Sequence, residues 1–118
     1  MKLITAEIRQ KLLANGETAR RRHAEDEDHD PVPVVKFFNP CGVGTWLITE
    51  MSPEDEDRLF GLCDLGMGFP ELGYVSVREL QSVRLPFGLS IERDLYFNPD
   101  KTLGEYAEEA RRLGHVAA

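Results

Sequence analysis

Two acidic residues on either side of an arginine have the spacing that best suits acid–base chemistry. Residues 91–97 alternate in polarity and predict a β-strand, in which Glu92 and Asp94 point to one side, about 6–7 Å apart. Paired carboxylates at such a distance can share acid–base work, as in glycoside hydrolysis. No other feature identifies a sugar site, and basic side chains elsewhere could pair with these acids. We therefore treat Glu92, Arg93 and Asp94 as a candidate functional charge cluster whose favoured role is structural.

A longer run of acids follows another predicted strand. It consists of Glu50, Glu54, Asp55, Glu56 and Asp57. Carboxylates can bind a hard cation, but this run lacks the glycine and the alternating ligand order of a calcium-binding loop. We predict a helical turn or a solvated loop that offers a binding surface to a basic partner. Three aromatic residues, Trp46, Tyr74 and Tyr96, are candidates for partner binding if the fold places them on one sheet face.

The sequence predicts neither a metal site nor a catalytic nucleophile. Cys41 and Cys63 lack the C-x-x-C spacing of zinc sites, and both His23 and His29 lie in a charged segment. Cys63 falls in an apolar predicted strand, where a thiol behaves as an inert small hydrophobe. The serines occupy helix or helix-start positions without a G-x-S-x-G motif. We expect no cofactor and assign no catalytic residue.

The first part of the chain predicts a helix followed by a charged segment. Thr5 is a suitable N-cap and Asn15-Gly16 is a stop signal, so the predicted helix covers residues 5–15. Residues 17–31 are highly charged and contain no apolar residue larger than alanine before the final proline. Such a segment cannot contribute to a core. We predict a charged mobile insert or linker there, with an extended tail of the helix as the alternative.

Five apolar runs separated by turn residues predict β-strands. They cover residues 32–38, 45–51, 59–65, 72–75 and 91–97. A capping box at Ser76 and Glu79 predicts a short middle helix, and another at Thr102 and Glu105 predicts a C-terminal helix. Because short turns cannot supply the crossovers of parallel pairing, we predict an α+β fold with a mostly antiparallel sheet of four to five strands. The N-terminal, middle and C-terminal helices should pack on one face or at the ends of the sheet.

Composition limits the class of partner. The chain has 118 residues, of which 42% are hydrophobic, and this fits a single domain over residues 1–118. Its net charge of −7 disfavours direct nucleic-acid binding, because a phosphate backbone is bound by a basic surface. The expected partner is another protein with a basic surface.

Targeting signals are not apparent. The N-terminus lacks the apolar region of a signal peptide, and no apolar stretch approaches the roughly 20 residues of a membrane span. We expect a cytoplasmic protein without membrane association. In that compartment a disulfide between Cys41 and Cys63 would not persist.

Several blocks of the sequence resemble a bacterial family. They are VKFFNP at residues 35–40, TW at 45–46, EMSPED at 50–55, ELGY at 71–74 and, most specifically, IERDLYF at 91–97. The family is domain of unknown function 2958, and the resemblance covers roughly residues 1–103. It implies a small protein of a kind often encoded on plasmids and other mobile elements, near genes for antirestriction or DNA maintenance. No catalytic residue is carried over, because none is established for the family.

Two functional hypotheses follow. The first is a non-enzymatic, acidic interaction or accessory module that docks a basic DNA-processing or host-defence protein. In this hypothesis Glu50, residues 54–57 and the acids of residues 25–30 surround an apolar patch. The alternative is a small hydrolase-type enzyme that uses the Glu92 and Asp94 carboxylates, with Glu50 as an additional acid.

Overall fold

Three α-helices and five β-strands make up the computed structural model, which describes residues 2–118. In chain order the elements are α1 (Ala6–Ala24), β1 (Val35–Phe38), β2 (Thr45–Met51), β3 (Arg58–Asp64), β4 (Glu71–Ser76), α2 (Val77–Ser82), β5 (Glu92–Arg93) and α3 (Leu103–Leu113). The predicted α+β fold, with N-terminal, middle and C-terminal helices, is confirmed. Within these residues no helix has both the length and the apolar composition needed to cross a bilayer.

The five strands form one sheet in the order β4-β3-β2-β1-β5. Every neighbouring pair is antiparallel, as the short turns predict. Phe37 of β1 pairs with Trp46 of β2 on one side and with Arg93 of β5 on the other. Strands β4 and β5 are therefore the two edges of the sheet.

Both faces of the sheet are covered by helices. Side chains alternate along β2, so that Trp46 and Ile48 enter a first core with Leu12 of α1, whereas Leu47 enters a second core with Tyr106 of α3. Helices α1 and α3 consequently lie on opposite faces of the sheet, whereas the sequence analysis expected the helices on one face or at the ends. The physical reason is that β2 and β3 carry apolar residues on both sides, and each side needs a cover.

Helix α1 is longer than the sequence predicts. It continues through Asn15 and Gly16 to Ala24, so the predicted stop is wrong and residues 17–24 form the extended helical tail. The Asn15 side-chain amide donates to the Thr49 carbonyl at 2.8 Å. At Gly16, a Cβ atom would lie 2.0 Å from the Met51 carbonyl oxygen. Glycine thus permits a close approach of the helix to β2 instead of ending the helix.

The fifth strand is shorter than the sequence predicts. It covers only Glu92–Arg93, because the chain turns at Asp94. The Tyr96 backbone N–H donates to the Asp94 carboxylate at 2.9 Å, the bond of an Asx turn. The prediction of a strand over residues 91–97 is therefore wrong beyond Arg93.

The segment between α1 and β1 is attached to the start of α3. The Thr102 hydroxyl and the Gly104 backbone N–H each donate to the Asp30 carboxylate at 2.7 Å. Thr102 and Glu105 form the predicted capping box at the same helix end. These bonds direct the segment from the end of α1 toward the N-terminus of α3, and this route determines where His29 lies.

Candidate functional site

A groove opens where α1 passes the end of the sheet. Strand β2 extends beyond β1, because Val35 pairs with Ile48 and residues 49–51 lie past that point. The C-terminal half of α1 runs along this extension and leaves a groove of about 260 Å³ between helix and sheet. Charged, histidine and aromatic residues line it: Arg20, His23, Glu50, Glu54, Arg58, Phe60 and Tyr74.

Glu50 occupies a sheltered position in this groove. An irregular register between Ile48 and Glu50 turns its side chain to the same face as Phe60, with which it pairs. The Glu50 side chain is 19% exposed, and no hydrogen-bond donor within residues 2–118 reaches its carboxylate. Burial raises the pKa of Glu50, and the nearby His23 opposes that shift. Glu50 is thus a partly buried carboxylate that receives no hydrogen bond from residues 2–118 and whose oxygens remain in contact with solvent.

His29 faces Glu50 from the segment between α1 and β1. Its Nε2 lies 3.9 Å from Glu50 Oε1, and its side chain is only 9% exposed. Among the described residues this Nε2 has no hydrogen-bond partner. Burial lowers the pKa of His29, Arg22 and His23 lower it further, and Asp30 acts in the opposite direction. At neutral pH the imidazole is therefore mainly uncharged, and His29 does not form a salt bridge with Glu50.

An aromatic pair forms the other wall of the groove. The Phe60 and Tyr74 rings meet edge to face, with centroids 5.1 Å apart. The Arg58 guanidinium lies over the Tyr74 ring, 3.9 Å from its centroid. This geometry shows that the Tyr74 face can accept a guanidinium group by a cation–π contact.

The predicted acidic run at residues 52–57 forms a loop between β2 and β3, and several of its acids have partners within the chain. Glu54 pairs with Arg20 at 3.4 Å, and Glu56 pairs with Arg9. Asp57 accepts a hydrogen bond from the Ser76 hydroxyl at 2.6 Å, which lowers the pKa of Asp57. We call residues 54–57 the acidic rim. Glu54 lines the groove, and Asp55 and the half-buried Asp57 lie beside strand β4.

The cluster of Glu92, Arg93 and Asp94 lies at the β5 edge, away from this groove. Asp94 forms an ion pair with Lys36 at 3.4 Å. The Arg93 guanidinium donates to the backbone carbonyls of Lys2 and Leu3 and so attaches the N-terminal segment to the sheet. These contacts give Arg93 and Asp94 partners within the chain.

The three candidate aromatic residues do not share a sheet face. Trp46 is 8% exposed and belongs to the first core. Tyr74 is exposed on edge strand β4, whereas Tyr96 lies in the turn after the opposite edge strand and is 92% exposed. Only Tyr74 adjoins the Glu50 groove.

An exposed apolar patch lies at the tip of the β3–β4 hairpin. Leu65, Met67 and Phe69 project there, and Val43 of the neighbouring β1–β2 turn is also exposed. The two tips lie side by side, since a Cβ atom at Gly66 would fall 2.4 Å from a Val43 methyl carbon. We call Val43, Leu65, Met67 and Phe69 the tip patch. Leu65, Met67 and Phe69 alternate with Gly66 and Gly68 in the sequence, and this alternation was the local signal for the patch.

The cysteines occupy different environments. Cys41 is exposed in the β1–β2 turn, and Cys63 is half-buried in β3. Burial is the main cause, and Glu71 the second, of a rise in the pKa of the Cys63 thiol to about 11. Among residues 2–118, no group of three or more histidine, cysteine or acidic side chains has the geometry of a metal site.

The sequence analysis did not predict that His23 and His29 lie near Glu50. The two histidines are separated by five residues, a spacing within the range that zinc sites use, and this was the only local signal. Their approach to Glu50 depends on the extended α1 and on the attachment of Asp30 to α3. Neither feature can be deduced from residues 23–29 alone.

The fold and groove define a small α+β protein in which helices cover both faces of a five-stranded antiparallel sheet. Residues 3–117 match the family described as Protein of unknown function (DUF2958). The chain belongs to this family, as its sequence blocks predicted. Comparisons with curated proteins and with solved structures found no match.

Proposed function

We propose that the protein is a non-enzymatic interaction module that docks a basic protein through the tip patch and edge strand β4. The observation that carries the proposal is the concentration of exposed large apolar side chains on this one hairpin. Met67 and Phe69 are 70% and 80% exposed, and Leu72 and Tyr74 are exposed on β4. A contiguous exposed apolar area rimmed by polar residues is typical of protein interaction sites.

Strand β4 adds a backbone component to this surface. It is a six-residue edge strand with a partner only on the β3 side. Edge strands present unpaired backbone groups, and many proteins protect them with charge, proline or a bulge. Within Glu71–Ser76 the only charged side chain is Glu71. The edge can therefore pair with an extended segment of a partner by strand addition.

Charge favours a basic partner at this surface. The chain carries a net charge of −7, and Asp55 and Asp57 of the acidic rim lie beside β4. Complementary charges at the border of an apolar patch mainly accelerate association and make it sensitive to salt. In the mobile-element setting that the family resemblance implies, the partner would be a DNA-processing or host-defence protein.

The test uses affinity capture of a basic partner, followed by kinetics with that purified partner. A Met67→Ser/Phe69→Ser double variant should weaken binding at least tenfold, because it removes the two most exposed side chains of the tip patch. Tyr96→Ser is the matched control, since Tyr96 is an aromatic residue 92% exposed in the turn after the opposite edge strand β5. Asp55→Lys should slow association at low salt, whereas Glu108→Lys on α3 should not. Equal binding by the tip variant and the control would refute the proposed surface.

A further inference from the structure

Glu50 is a carboxyl side chain in a sheltered place, and no donor within residues 2–118 forms a hydrogen bond with it. Buried charges in proteins are generally paired or hydrogen bonded, because removing them from water is costly. The Glu50 carboxylate is 19% exposed, and it receives no hydrogen bond within residues 2–118. Both Glu50 oxygens remain open to solvent, so a donor from outside the chain can reach a carboxylate that no residue of the described chain hydrogen bonds.

Apart from His23, which acts electrostatically on Glu50, the basic residues around the groove are engaged elsewhere or uncharged. Arg20 pairs with Glu17 at 2.8 Å and with Glu54 at 3.4 Å. Arg58 lies on the Tyr74 ring. The His29 imidazole faces Glu50, but its Nε2 is 3.9 Å away and too far for a hydrogen bond. None of these residues neutralises the Glu50 carboxylate directly.

The size of the groove suits one side chain. Its volume of about 260 Å³ is below the roughly 300–1,000 Å³ of typical small-molecule sites. Its Phe60 and Tyr74 wall is aromatic and already accepts one guanidinium from Arg58. The groove also adjoins β4, to which the proposed function assigns the partner.

We propose that this groove binds a single arginine side chain of the basic partner, with its guanidinium on the Glu50 carboxylate and its plane against the aromatic wall. Arginine fits better than lysine, because its planar fork can donate two bonds to one carboxylate and stack on a ring. The proposal rests on the proposed function in one respect, namely that the arginine belongs to the docked partner.

Binding of a small arginine probe tests the pocket without the partner. N-acetyl-arginine amide is titrated into the isotope-labelled protein while the NMR signals of Glu50, His23 and Tyr74 are followed. We expect saturable shifts with a dissociation constant in the millimolar range, about the strength of a single anchored side chain. N-acetyl-citrulline amide has nearly the same shape without the charge, and at matched ionic strength it should bind at least tenfold more weakly.

Variants connect the binding to Glu50. Glu50→Gln keeps the shape of the side chain and should weaken arginine binding at least tenfold, whereas Glu92→Gln at the β5 edge should leave it unchanged. A backbone amide spectrum of each variant checks that the fold is retained. The inference is overturned if arginine causes no saturable shift, if citrulline binds equally well, or if Glu50→Gln binds arginine as the unmodified protein does.

The two proposals can fail separately. The Met67→Ser/Phe69→Ser variant lies outside the groove and should still bind the arginine probe. If the unmodified protein docks the partner but does not bind the arginine probe, only the proposed arginine pocket is overturned. Failure of the tip variant to affect partner docking, with arginine binding retained, would instead overturn the proposed docking surface.

Discussion

Glu50 is the residue on which the proposed arginine pocket depends. Its carboxylate is sheltered by the end of α1 and by the aromatic wall, and the facing His29 is uncharged at neutral pH. An ionisable group with a perturbed pKa in a groove is a candidate for function, although structural networks also perturb pKa values. The absence of a donor for Glu50 within residues 2–118 argues against a structural network here.

The first prediction concerns the stability of a Glu50→Gln variant. The pKa of Glu50 is raised in the folded state above its ordinary value of 4.5, so folding favours the protonated form. Its contribution to stability is therefore lost as the pH rises from about 4.5 through the folded pKa. At pH 7 the variant should be more stable by about 1 kcal/mol, the lower end of the cost of an unsatisfied buried polar group.

Urea unfolding at pH 4 and pH 7 measures this effect. The advantage of Glu50→Gln should shrink at pH 4, where the wild-type carboxyl is largely protonated. Glu92→Gln serves as the matched control and should show no such pH dependence. A Glu50→Gln variant that is less stable than wild type at pH 7 would mean that the carboxylate has a stabilising partner.

The second prediction concerns the two thiols. Burial raises the pKa of Cys63 to about 11, whereas Cys41 is exposed. Because the thiolate is the reactive form, iodoacetamide at pH 9 should modify the Cys63→Ser variant at least tenfold faster than the Cys41→Ser variant. Urea should abolish the difference. Equal rates in the folded variants would contradict the assigned environment of Cys63.

At the scale of elements, the contact between α1 and β2 decides where the site forms. The helix approaches β2 so closely at Gly16 that only a residue without Cβ fits against the Met51 carbonyl. This approach carries the last turns of α1, with Arg20 and His23, past the end of the sheet and over Glu50. A small residue in the middle of the helix thus creates one wall of the groove.

A Gly16→Ala variant tests this contact. In an isolated helix, alanine would stabilise by about 1 kcal/mol relative to glycine. Here the new Cβ would lie 2.0 Å from a backbone oxygen, so α1 must move away from β2. We expect a net destabilisation of about 1–3 kcal/mol by urea unfolding, as for other overpacked sites. Gly73→Ala on β4, where a Cβ meets nothing within 4 Å, is the control. A stabilised Gly16→Ala variant would contradict the close approach.

At the scale of the whole molecule, one sheet joins two cores. Trp46 and Leu47 are neighbours in sequence but face opposite cores, so β2 connects the packing of α1 to that of α3. A domain of this size normally unfolds as one cooperative unit. The two cores should therefore lose their structure together.

A Leu47→Ala variant tests this coupling with the single tryptophan as reporter. Leu47 is fully buried in the second core, and its truncation should cost about 2–5 kcal/mol. Trp46 lies in the first core, so its fluorescence transition in urea should shift by the same amount as the circular dichroism transition. A Trp46 transition that stays at the wild-type midpoint would show that the cores unfold independently.

Local patterns in the sequence were sufficient for most elements. Residues 45–51 were predicted as a strand with the bounds that the structure has, and Thr102 with Glu105 correctly marked the start of α3. Short turns were enough to predict antiparallel pairing. These features depend on interactions among residues a few positions apart, so they can be deduced from neighbouring residues.

Only the tertiary structure decided the features that depend on distant contacts. The sequence predicts a helix end at Gly16, but the close contact of Gly16 with β2 shows why glycine occurs there within a continuing helix. Beyond Arg93 the predicted strand is replaced by a turn that the Asp94 carboxylate stabilises. Likewise, His29 meets Glu50 because Asp30 binds the start of α3, more than 70 positions along the chain. The energies of such contacts arise between elements that are far apart in sequence, and no periodicity or cap within a single segment encodes them.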